Sequence, residues 1–431
     1  MSTLKAVRGT RDLLPPETEL WNRVETAARA VFARYGFGEI RTPIFETTEL
    51  FVRGVGEETD VVSKEMYTWE DRARAASEKP QSLTLRPENT AGVVRAYIEH
   101  KLGDTGHLQK LFYIGPQFRR ERPQRGRYRQ FWQIGAEVLG PVTSGAESAV
   151  RDAEVLEMLA SLLDELGIKG WRLALNSVGS STDRPRYVAA LREALQTVKA
   201  GMCGDCQRRA ETNPLRVLDC KVPEDQATID ALPKIAEYLD DGSTAHFAAV
   251  REALNACGVA YVVEPRLVRG LDYYTRTTFE FTVPDGSGLG TQNALLGGGR
   301  YDGLSEMLGG PKAPGIGFAI GEDRLILTLQ AQLGEETATK LEAYVAPLTP
   351  GQNAAALALG RELRRAGVSC EVGDGSFRLK KSFEAADRVA KRVVLVGEDE
   401  VASGVFTVKT FESGEQAKVG RADLVGVLLK A

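Results

Sequence analysis

The chain has 431 residues, more than one compact domain normally holds, and we expect two or three domains. With 43% hydrophobic and 26% charged residues, its composition is that of a globular protein and excludes disorder over most of the chain. The net charge of −4 argues against a surface that is basic throughout but leaves room for a local basic patch. We find no apolar run of membrane-spanning length, no secretory h-region at the N-terminus, and too few cysteines, five, for a disulfide framework. These features predict a cytoplasmic protein with no membrane partner.

Over the first three quarters of the chain, strands and helices are predicted in separate runs. Strands are predicted at 111–114, 129–139, 259–263 and 279–283, and helices at 150–166 and from about 321 to 333. A more polar region, from 168 to about 225, has the character of an inserted module. This order predicts an α+β fold with an antiparallel sheet over residues 1–333.

The last part of the chain has a different, regular pattern. A short polar stretch at 334–340 is predicted to be a linker. After it, strands at 343–347, 368–372 and 392–396 alternate with helices at 354–366 and 377–390. Alternation of this kind predicts a separate α/β domain at 341–431, with a parallel or mixed sheet.

A strongly basic segment lies at 118–130, with the sequence FRRERPQRGRYRQ. It contains six arginines and one glutamate, and Pro123 and Gly126 predict a loop between two strands. Such a loop suits phosphate groups of a nucleotide or nucleic acid. A solvated charged loop is the alternative interpretation.

The strand after this loop favours a binding pocket. Alternate residues of a strand share a face. The apolar face would belong to the core, whereas the other face carries a ring, an amide, a glycine and a carboxylate, which suits a pocket for a flat polar ligand, with room made by the glycine. The pocket face comprises Phe131, Gln133, Gly135 and Glu137, and the core face Trp132, Ile134, Ala136 and Val138. On the preceding strand, Gln117, Arg119 and Glu121 share a face in the same way.

Three further segments place polar side chains beside apolar runs. LTLRPENT at 83–90 contains Glu88 and Thr90, and VRGLDYY at 268–274 contains Arg269 followed by two tyrosines. GIGFAIGEDRL at 315–325 is a glycine-rich turn that leads into a helix with Arg324 in its first turns. The start of a helix can hold an anion.

Together these segments resemble the three signature motifs of class II aminoacyl-tRNA synthetases. RTPIFETTELF at 41–51 resembles the first motif, the segment at 118–140 the second and GFAIGEDRL the third. RGLDYYTRT and LGGGRYDGL at 296–304 resemble the histidine-specific members of the family. The sequence departs from the family pattern at Asn89, where glycine is usual, at Trp132, where histidine is common, and at Asp323, where glutamate is usual.

The resemblance implies a reaction and its partners. Members of this family activate L-histidine with ATP, as its Mg²⁺ complex, to histidyl-adenylate, and then transfer the histidyl group to tRNA(His). It also implies a six-stranded antiparallel catalytic sheet, an inserted module, an α/β anticodon-binding domain at the C-terminus, and a homodimer with Pro43 of the first motif at its interface.

The resemblance further implies a role for individual residues. Catalysis would depend on Arg269, Arg119 and Glu88. Histidine would be bound by Glu88, Thr90, Arg119, Gln133, Glu137, Arg269, Tyr273 and Tyr274. ATP would be bound by Arg119, Glu121, Phe131 and Arg324, and the tRNA acceptor stem by Arg122, Gln124, Arg125 and Arg127.

The cysteines raise the question of a metal site in the inserted module. Cys203, Cys206 and Cys220 could supply three thiolates to zinc, but the sequence near them offers no obvious fourth ligand. We therefore expect no metal bound by protein thiols, and structural zinc is not predicted.

Two alternative functions remain open. The first is a regulatory paralogue of the family, a subunit of ATP phosphoribosyltransferase, which lacks the anticodon-binding domain and departs from the arginine motifs. The second is a synthetase for another class II amino acid, against which RGLDYY argues. Exchange of pyrophosphate into ATP, tested with each amino acid, distinguishes these functions.

Overall fold

The computed structural model describes residues 3–57, 59–72, 80–284, 288–289, 293–334 and 339–430. The chain forms two compact units, Met1–Glu336 and Thr337–Ala431. Of the predicted linker at 334–340, residues 335–338 lie outside the described residues, and Gly334 directly follows the last helix of the first unit. Among the described residues, no helix has the length and apolar character needed to cross a membrane.

The first unit contains the larger share of the helices and strands. Its strands are β1 (Gly38–Glu39), β2 (Phe45–Thr47), β3 (Tyr67–Asp71), β4 (Gln81–Leu85), β5 (Gln109–Phe118), β6 (Gln130–Leu139), β7 (Arg172–Ser177), β8 (Tyr261–Val263), β9 (Thr275–Thr282), β10 (Ala294–Arg300) and β11 (Gly315–Gly321). Its helices are α1 (Glu17–Arg34), α2 (Thr48–Val55), α3 (Thr90–Glu99), α4 (Ala149–Glu165), α5 (Asp183–Val198), α6 (Gly204–Thr212), α7 (Gln226–Asp230), α8 (Asp241–Ala256), α9 (Leu304–Met307) and α10 (Glu322–Leu333).

An eight-stranded sheet forms the centre of this unit, in the order β1-β5-β6-β11-β10-β9-β7-β8. The six strands from β5 to β7 are antiparallel to their neighbours, and β1 and β8 pair in parallel at the two edges. The predicted antiparallel α+β core is therefore confirmed, with one parallel strand added at each edge. A smaller antiparallel sheet has the order β2-β4-β3.

The main hydrophobic core lies on one face of the large sheet, beneath four helices. The side chains that α1, α4, α8 and α10 turn toward the sheet include Val24, Leu156, Leu254 and Leu325, and each is fully buried. These helices bury an apolar stripe because their hydrophobic residues recur every three or four positions. The opposite face of the sheet is left for the polar residues of the site.

The alternation along β6 is confirmed. Ile134, Ala136 and Val138 belong to the main core. Trp132 packs against that core but also lines the cavity of the candidate site. One detail of the prediction is wrong, because Gly135 leaves no room for a ligand. A Cβ atom at that position would lie 2.4 Å from the ring of Tyr113, so the glycine makes room for this neighbouring side chain instead.

The bounds of the inserted module differ from those predicted. Residues from 168 to about 225 were expected to form it, but β7 (Arg172–Ser177) pairs with β9 as part of the central sheet. Side chains from Tyr187 to Tyr238, on α5 to α7 and the short turns between them, share a hydrophobic core of their own. The carboxylate of Asp225, which the sequence did not connect with the cysteines, lies within 4.8 Å of the Sγ atoms of Cys203, Cys206 and Cys220.

The second unit is a five-stranded mixed sheet with helices. Its strands are β12 (Leu341–Pro347), β13 (Cys370–Val372), β14 (Ala390–Val396), β15 (Val405–Thr410) and β16 (Gln416–Gly420), and its helices are α11 (Asn353–Arg365), α12 (Leu379–Val389), α13 (Glu398–Ser403) and α14 (Leu424–Leu428). The sheet order is β13-β12-β14-β15-β16, parallel across the first three strands and antiparallel at the other two. This arrangement confirms the predicted α/β fold.

Candidate active site

A cavity of about 310 Å³ opens on the polar face of the large sheet. Its walls come from the strands β5, β6, β9, β10 and β11, from the segments that follow β4, β5 and β10, from the segment that precedes β9, and from the start of α10. The predicted site residues that line it are Glu88, Thr90, Arg119, Glu121, Arg127, Phe131, Gln133, Arg269, Tyr273, Tyr274 and Arg324. Segments up to 236 residues apart in sequence thus converge on one cavity.

One wall combines an arginine, a ring and a carboxylate. The Arg119 guanidinium lies 5.3 Å from the centre of the Phe131 ring, and its Nε donates to the carbonyl oxygen of Pro87 at 3.0 Å. Glu121 pairs with Arg127 at 3.1 Å and lies 3.9 Å from Arg119. These contacts place a positive charge beside an aromatic surface, as a nucleotide site requires.

Arg324 lies at the start of α10, directly after the glycine-rich strand β11. Its Nη1 donates to the carbonyl oxygen of Ala294 at 2.7 Å. Burial lowers the pKa of this guanidinium, and the nearby positive charge of Arg127 adds to the effect. Because the site already concentrates positive charge, an anionic ligand would relieve the repulsion.

Arg269, another residue of the cavity wall, is held in place by the carboxylate of Glu280, which was not among the predicted site residues. Its Nη1 lies 2.5 Å from Oε1 of Glu280 on β9. Gly297 on β10 pairs with Glu280 across the sheet, and a Cβ atom on this glycine would lie within 2.6 Å of the guanidinium. The glycine therefore allows Arg269 to lie directly on the strand.

Glu137 is fully buried and does not line the cavity. Its Oε1 accepts a hydrogen bond from the Thr90 hydroxyl at 2.7 Å, and Tyr113 lies 3.4 Å away. A Cβ atom on Gly317, a residue of the cavity wall, would lie 1.7 Å from Oε2, so Glu137 is directly behind that wall. Burial, with a smaller contribution from the negative charge of Glu88, raises the pKa of Glu137 to about 8.

Glu88 and Thr90 come from the start of α3. The two carboxylate oxygens of Glu88 accept hydrogen bonds from the backbone N–H groups of Thr90 at 2.8 Å and Ala91 at 3.0 Å. The unusual Asn89 between them points elsewhere: its Oδ1 accepts a hydrogen bond from Thr42 at 2.6 Å. Asn89 itself does not line the cavity, whereas its neighbours Glu88 and Thr90 do.

The predicted acceptor-stem residues lie on an exposed loop between β5 and β6. Arg122, Gln124 and Arg125 are exposed and lie outside the cavity wall, whereas Arg127 reaches it. Gln124 and Arg127 bond to each other through their backbones, at 2.9 and 3.1 Å. At the tip, Gly126 has a φ of +73° and lies against the side chain of Arg324, so the loop borders the cavity at that end.

Sequence reasoning missed several residues of the wall, among them Tyr113, Glu280, Tyr301 and Asp323. Asp323 accepts from Arg11 at 3.0 Å and from the backbone N–H of Trp132 at 3.1 Å, so it anchors the start of α10. Glu280 could have been found by alternation, because it lies between the core residues Phe279 and Phe281 on β9. No local signal distinguishes Tyr113 from a core tyrosine, whereas Tyr301 lies in the LGGGRYDGL segment at 296–304.

Comparison with known proteins identifies the family of this chain. The family model described as histidyl-tRNA synthetase matches residues 9–325, and a model described as an anticodon-binding domain matches residues 342–431. The chain belongs to the histidyl-tRNA synthetase family. Its C-terminal unit is the anticodon-binding domain, the part that regulatory paralogues were expected to lack.

Individual relatives of this histidyl-tRNA synthetase family agree over nearly the whole chain. A histidine–tRNA ligase of Koribacter versatilis is 69% identical over 422 residues, covering 98% of this chain and 95% of the relative. One from Solibacter usitatus is 55% identical and covers 99% of both chains. The crystal structure of apo Staphylococcus aureus histidyl-tRNA synthetase, 35% identical, superimposes with a TM-score of 0.80 and covers 99% of this chain and 100% of that chain.

Proposed function

We propose that this protein joins L-histidine to tRNA(His) in two steps. The first forms histidyl-adenylate from histidine and ATP and releases pyrophosphate. The second transfers the histidyl group to the 3′ end of the tRNA and releases AMP. The observation that carries the proposal is the convergence of Arg119, Arg269 and Arg324 on one cavity that also contains Glu88.

Activation requires two anions to meet, the histidine carboxylate and the ATP α-phosphate. Arg119 and Arg269 both line the cavity and would neutralise both groups in the transition state. ATP enters as its Mg²⁺ complex, so that cation is part of the substrate. The protein would contribute position and charge, without a covalent intermediate on a side chain.

The nucleotide base would lie against the wall formed by Arg119, Glu121 and Phe131. The Phe131 ring offers a stacking surface, and the Glu121 carboxylate accepts hydrogen bonds, as the adenine amino group requires. Arg324 would hold the far side of the nucleotide. Its lowered pKa supports this role, because a bound anion would offset the crowding of positive charge.

Histidine would occupy the deeper part of the cavity. Glu88 and Thr90 would take its α-amino group, since a carboxylate that accepts two backbone hydrogen bonds still has free lone pairs. The imidazole ring would be selected by buried polar groups that need both of its nitrogens. The side chains proposed to surround it are Gln133, Glu137, Tyr273 and Tyr274.

Glu137 would contribute to the selection of histidine from its position directly behind the cavity wall. Its Oε2 and the hydroxyl of Tyr301 are both buried and close to each other, and neither has another hydrogen-bond partner among the described residues. Leaving such groups unpaired costs free energy, so a ligand that satisfies them gains selectivity over one that does not.

Two regions would contact the tRNA. The exposed loop residues Arg122, Gln124, Arg125 and Arg127 border the cavity and would hold the acceptor stem near the adenylate. Residues 341–431 would recognise the anticodon, while residues 1–333 would perform the chemistry.

The protein would act as a homodimer through the surface around Pro43. The neighbouring apolar side chains Ile44, Phe45 and Trp69 are 44%, 54% and 40% exposed, and the last two contact each other with ring centres 6.2 Å apart. An exposed apolar patch of this kind is typical of an interface. Light scattering combined with gel filtration tests this proposal, which predicts twice the mass of one chain.

The central experiment is histidine-dependent exchange of labelled pyrophosphate into ATP. The expected result is exchange with histidine and none with glycine, threonine or proline. Protein that binds histidine but gives no exchange at saturating Mg-ATP would overturn the proposal and favour a regulatory role. Charging of tRNA(His) transcript in the same preparation tests the second step.

A further inference from the structure

Three cysteines and one aspartate meet in the inserted module, away from the proposed catalytic residues. The side chains of Cys203, Cys206, Cys220 and Asp225 each present one ligand atom, and all four atoms lie within 4.8 Å of one another. Cys206, Cys220 and Asp225 are buried, and Cys203 is partly exposed. We propose that these four side chains bind one structural zinc ion.

The distances within the cluster suit a tetrahedral ion. With Zn–S bonds near 2.3 Å and a Zn–O bond near 2.0 Å, two sulfur ligands would lie about 3.8 Å apart, and a sulfur and an oxygen about 3.5 Å apart. The Sγ atoms of Cys203 and Cys220 are 3.9 Å apart. Cys220 Sγ and Asp225 Oδ2 are 3.4 Å apart. These two pairs need almost no movement, and the widest pair would close by about 1 Å.

The ligand types and their spacing also favour zinc. Cys203 and Cys206 form a C-x₂-C pair at the start of α6, a spacing common in structural zinc sites. Thiolates select zinc over magnesium or calcium, which prefer oxygen ligands. Four protein ligands leave no position open for a substrate, so the site is structural. Each thiol would release its proton to solvent as its sulfur binds the metal.

Backbone groups already orient two of the ligands. The N–H of Val222 points at Cys220 Sγ at 3.4 Å, and the N–H of Cys203 lies 3.1 and 3.2 Å from the two oxygens of Asp225. Hydrogen bonds of this kind fix ligand geometry around bound metals. The aspartate is thus held next to the cysteines by the fold itself.

A metal ion at this position would stabilise the small core of the inserted module. Its core consists of a small set of side chains on short elements, including 3₁₀ turns at Pro214–Asp219 and Pro223–Asp225. Small cores of this size commonly depend on metals or disulfides for stability. The proposed ion would join three parts of the module: the start of α6, the residue after the first of these turns and the end of the second.

The site also fixes a segment that approaches the proposed active site. Between Cys206 and Cys220 lies Arg216, which pairs with Asp219 at 2.8 Å. Its guanidinium would lie 3.1 Å from a Cβ atom on Gly270, the residue after Arg269. Zinc binding would therefore stabilise the surface against which the Arg269 loop rests.

Metal analysis of the full-length protein tests the proposal. Protein purified in reducing buffer without chelator should contain about one zinc per chain by elemental mass spectrometry. Cys206→Ser and Cys220→Ser should lower this content at least about tenfold. Cys257→Ser and Cys370→Ser are matched controls, because these two cysteines lie outside the cluster, and both should retain the metal.

Two further measurements test the zinc site even if a serine variant fails to fold. Wild-type protein stripped of metal and reloaded with Co²⁺ should show tetrahedral visible bands and a thiolate charge-transfer band in the near ultraviolet. Asp225→Asn, which keeps the size of the side chain, should weaken zinc binding about ten- to hundredfold while the fold is retained.

The proposal would be overturned by reduced, metal-free wild-type protein that takes up less than about a tenth of an equivalent of zinc from excess ZnCl₂. A Co²⁺ form without thiolate bands would overturn it as well. So would mass spectrometry of the native protein that finds a disulfide between two of the three cysteines in place of metal.

Discussion

Arg269 and Glu280 form an ion pair on the cavity wall, with Nη1 of the arginine 2.5 Å from Oε1 of the glutamate. The guanidinium lies over Gly297 on the neighbouring strand, where a side chain would collide with it. The pair fixes a flexible guanidinium in one position before any ligand binds. Preorganised charge is worth more in catalysis than charge that must move into place. This relationship leads to the first two predictions.

Replacing Arg269 with alanine should slow histidine activation by about 10²–10³-fold, the usual loss when one preorganised charge donor is removed. Histidine affinity should change much less, because the arginine would act mainly on the charge that develops in the transition state. Pyrophosphate exchange at varied histidine concentration measures both quantities. An unchanged rate with only a higher KM for histidine would contradict the catalytic assignment.

Glu280→Gln should slow activation by about ten- to hundredfold, because Arg269 would lose its anchor and its orientation. If Glu280 acts only through Arg269, the double variant with Arg269→Ala should be no slower than Arg269→Ala alone. A double-mutant cycle on the exchange rate checks this. Fully additive losses would mean that Glu280 has a separate role.

The sequence predicted which face of each strand is polar, but not which residues on neighbouring strands meet there. Alternation along β6 is a local property, so the facing of Gln133 and Ile134 could be predicted correctly. The pairing of Glu280 with Gly297 depends on the register between β9 and β10, which is set by contacts distant in sequence. The register between strands also explains the error at Gly135, because the space beside this glycine holds the ring of Tyr113 from the neighbouring strand and not a ligand.

The cysteine cluster illustrates a similar limit. The spacing of Cys203 and Cys206 was evident from the sequence, whereas Asp225 is one of many acidic residues and carries no motif of its own. Only the turn at Pro223–Asp225 brings its carboxylate to the sulfur atoms.

Glu137→Gln should lower kcat/KM for histidine by about tenfold or more and leave the KM for ATP nearly unchanged. The substitution keeps the size of a fully buried side chain but changes the group that the proposed histidine substrate would meet with its imidazole ring. Steady-state exchange kinetics and thermal melting measure the two effects. Thr328→Val on α10 is a useful control, since it changes another buried polar group outside the cavity wall. A sharp fall in Tm with unaltered kcat/KM would mean that Glu137 is structural.

Glu322→Gln should stabilise the protein increasingly as the pH rises from 5 to 9. Glu322 is fully buried, and both of its carboxylate oxygens lack a hydrogen-bond partner among the described residues. Burial, followed by the charges of Glu25 and Asp323, raises the pKa of Glu322 to about 9. Folding therefore favours the protonated form of Glu322. Its contribution to the free energy of unfolding is complete below the unfolded pKa of about 4.3 and is lost as the pH rises from there through 9.

The magnitude follows from proton linkage. Between these two pKa values the folded chain holds one proton more than the unfolded chain, so this group lowers the free energy of unfolding by about 1.4 kcal/mol per pH unit. Glutamine does not titrate and removes that slope. Denaturant unfolding at pH 5, 7 and 8.5 measures it, with the exposed Glu252→Gln on α8 as control. Equal pH slopes in wild type and Glu322→Gln would contradict the prediction.

Removing residues 337–431 should separate the two steps of the reaction. All proposed catalytic residues lie at or before Arg324, and the first unit has its own core. Pyrophosphate exchange should therefore persist. Charging of tRNA(His) should fall roughly 100-fold in kcat/KM, which corresponds to about 3 kcal/mol of lost binding free energy.

Charge reversal in the intact chain provides the matched test of the same idea. The C-terminal unit has a near-even balance of charges, so local contacts rather than a general basic surface would hold the tRNA. Lys380 and Lys381 are exposed at the start of α12, whereas Arg364 is already bonded to the carbonyl oxygen of Cys370. Lys380→Glu with Lys381→Glu should reduce charging and leave exchange intact. For the shortened protein, circular dichroism and light scattering must show that it remains folded and keeps its oligomeric state. If that protein then loses exchange and charging equally, the C-terminal unit is not a separate tRNA-binding domain.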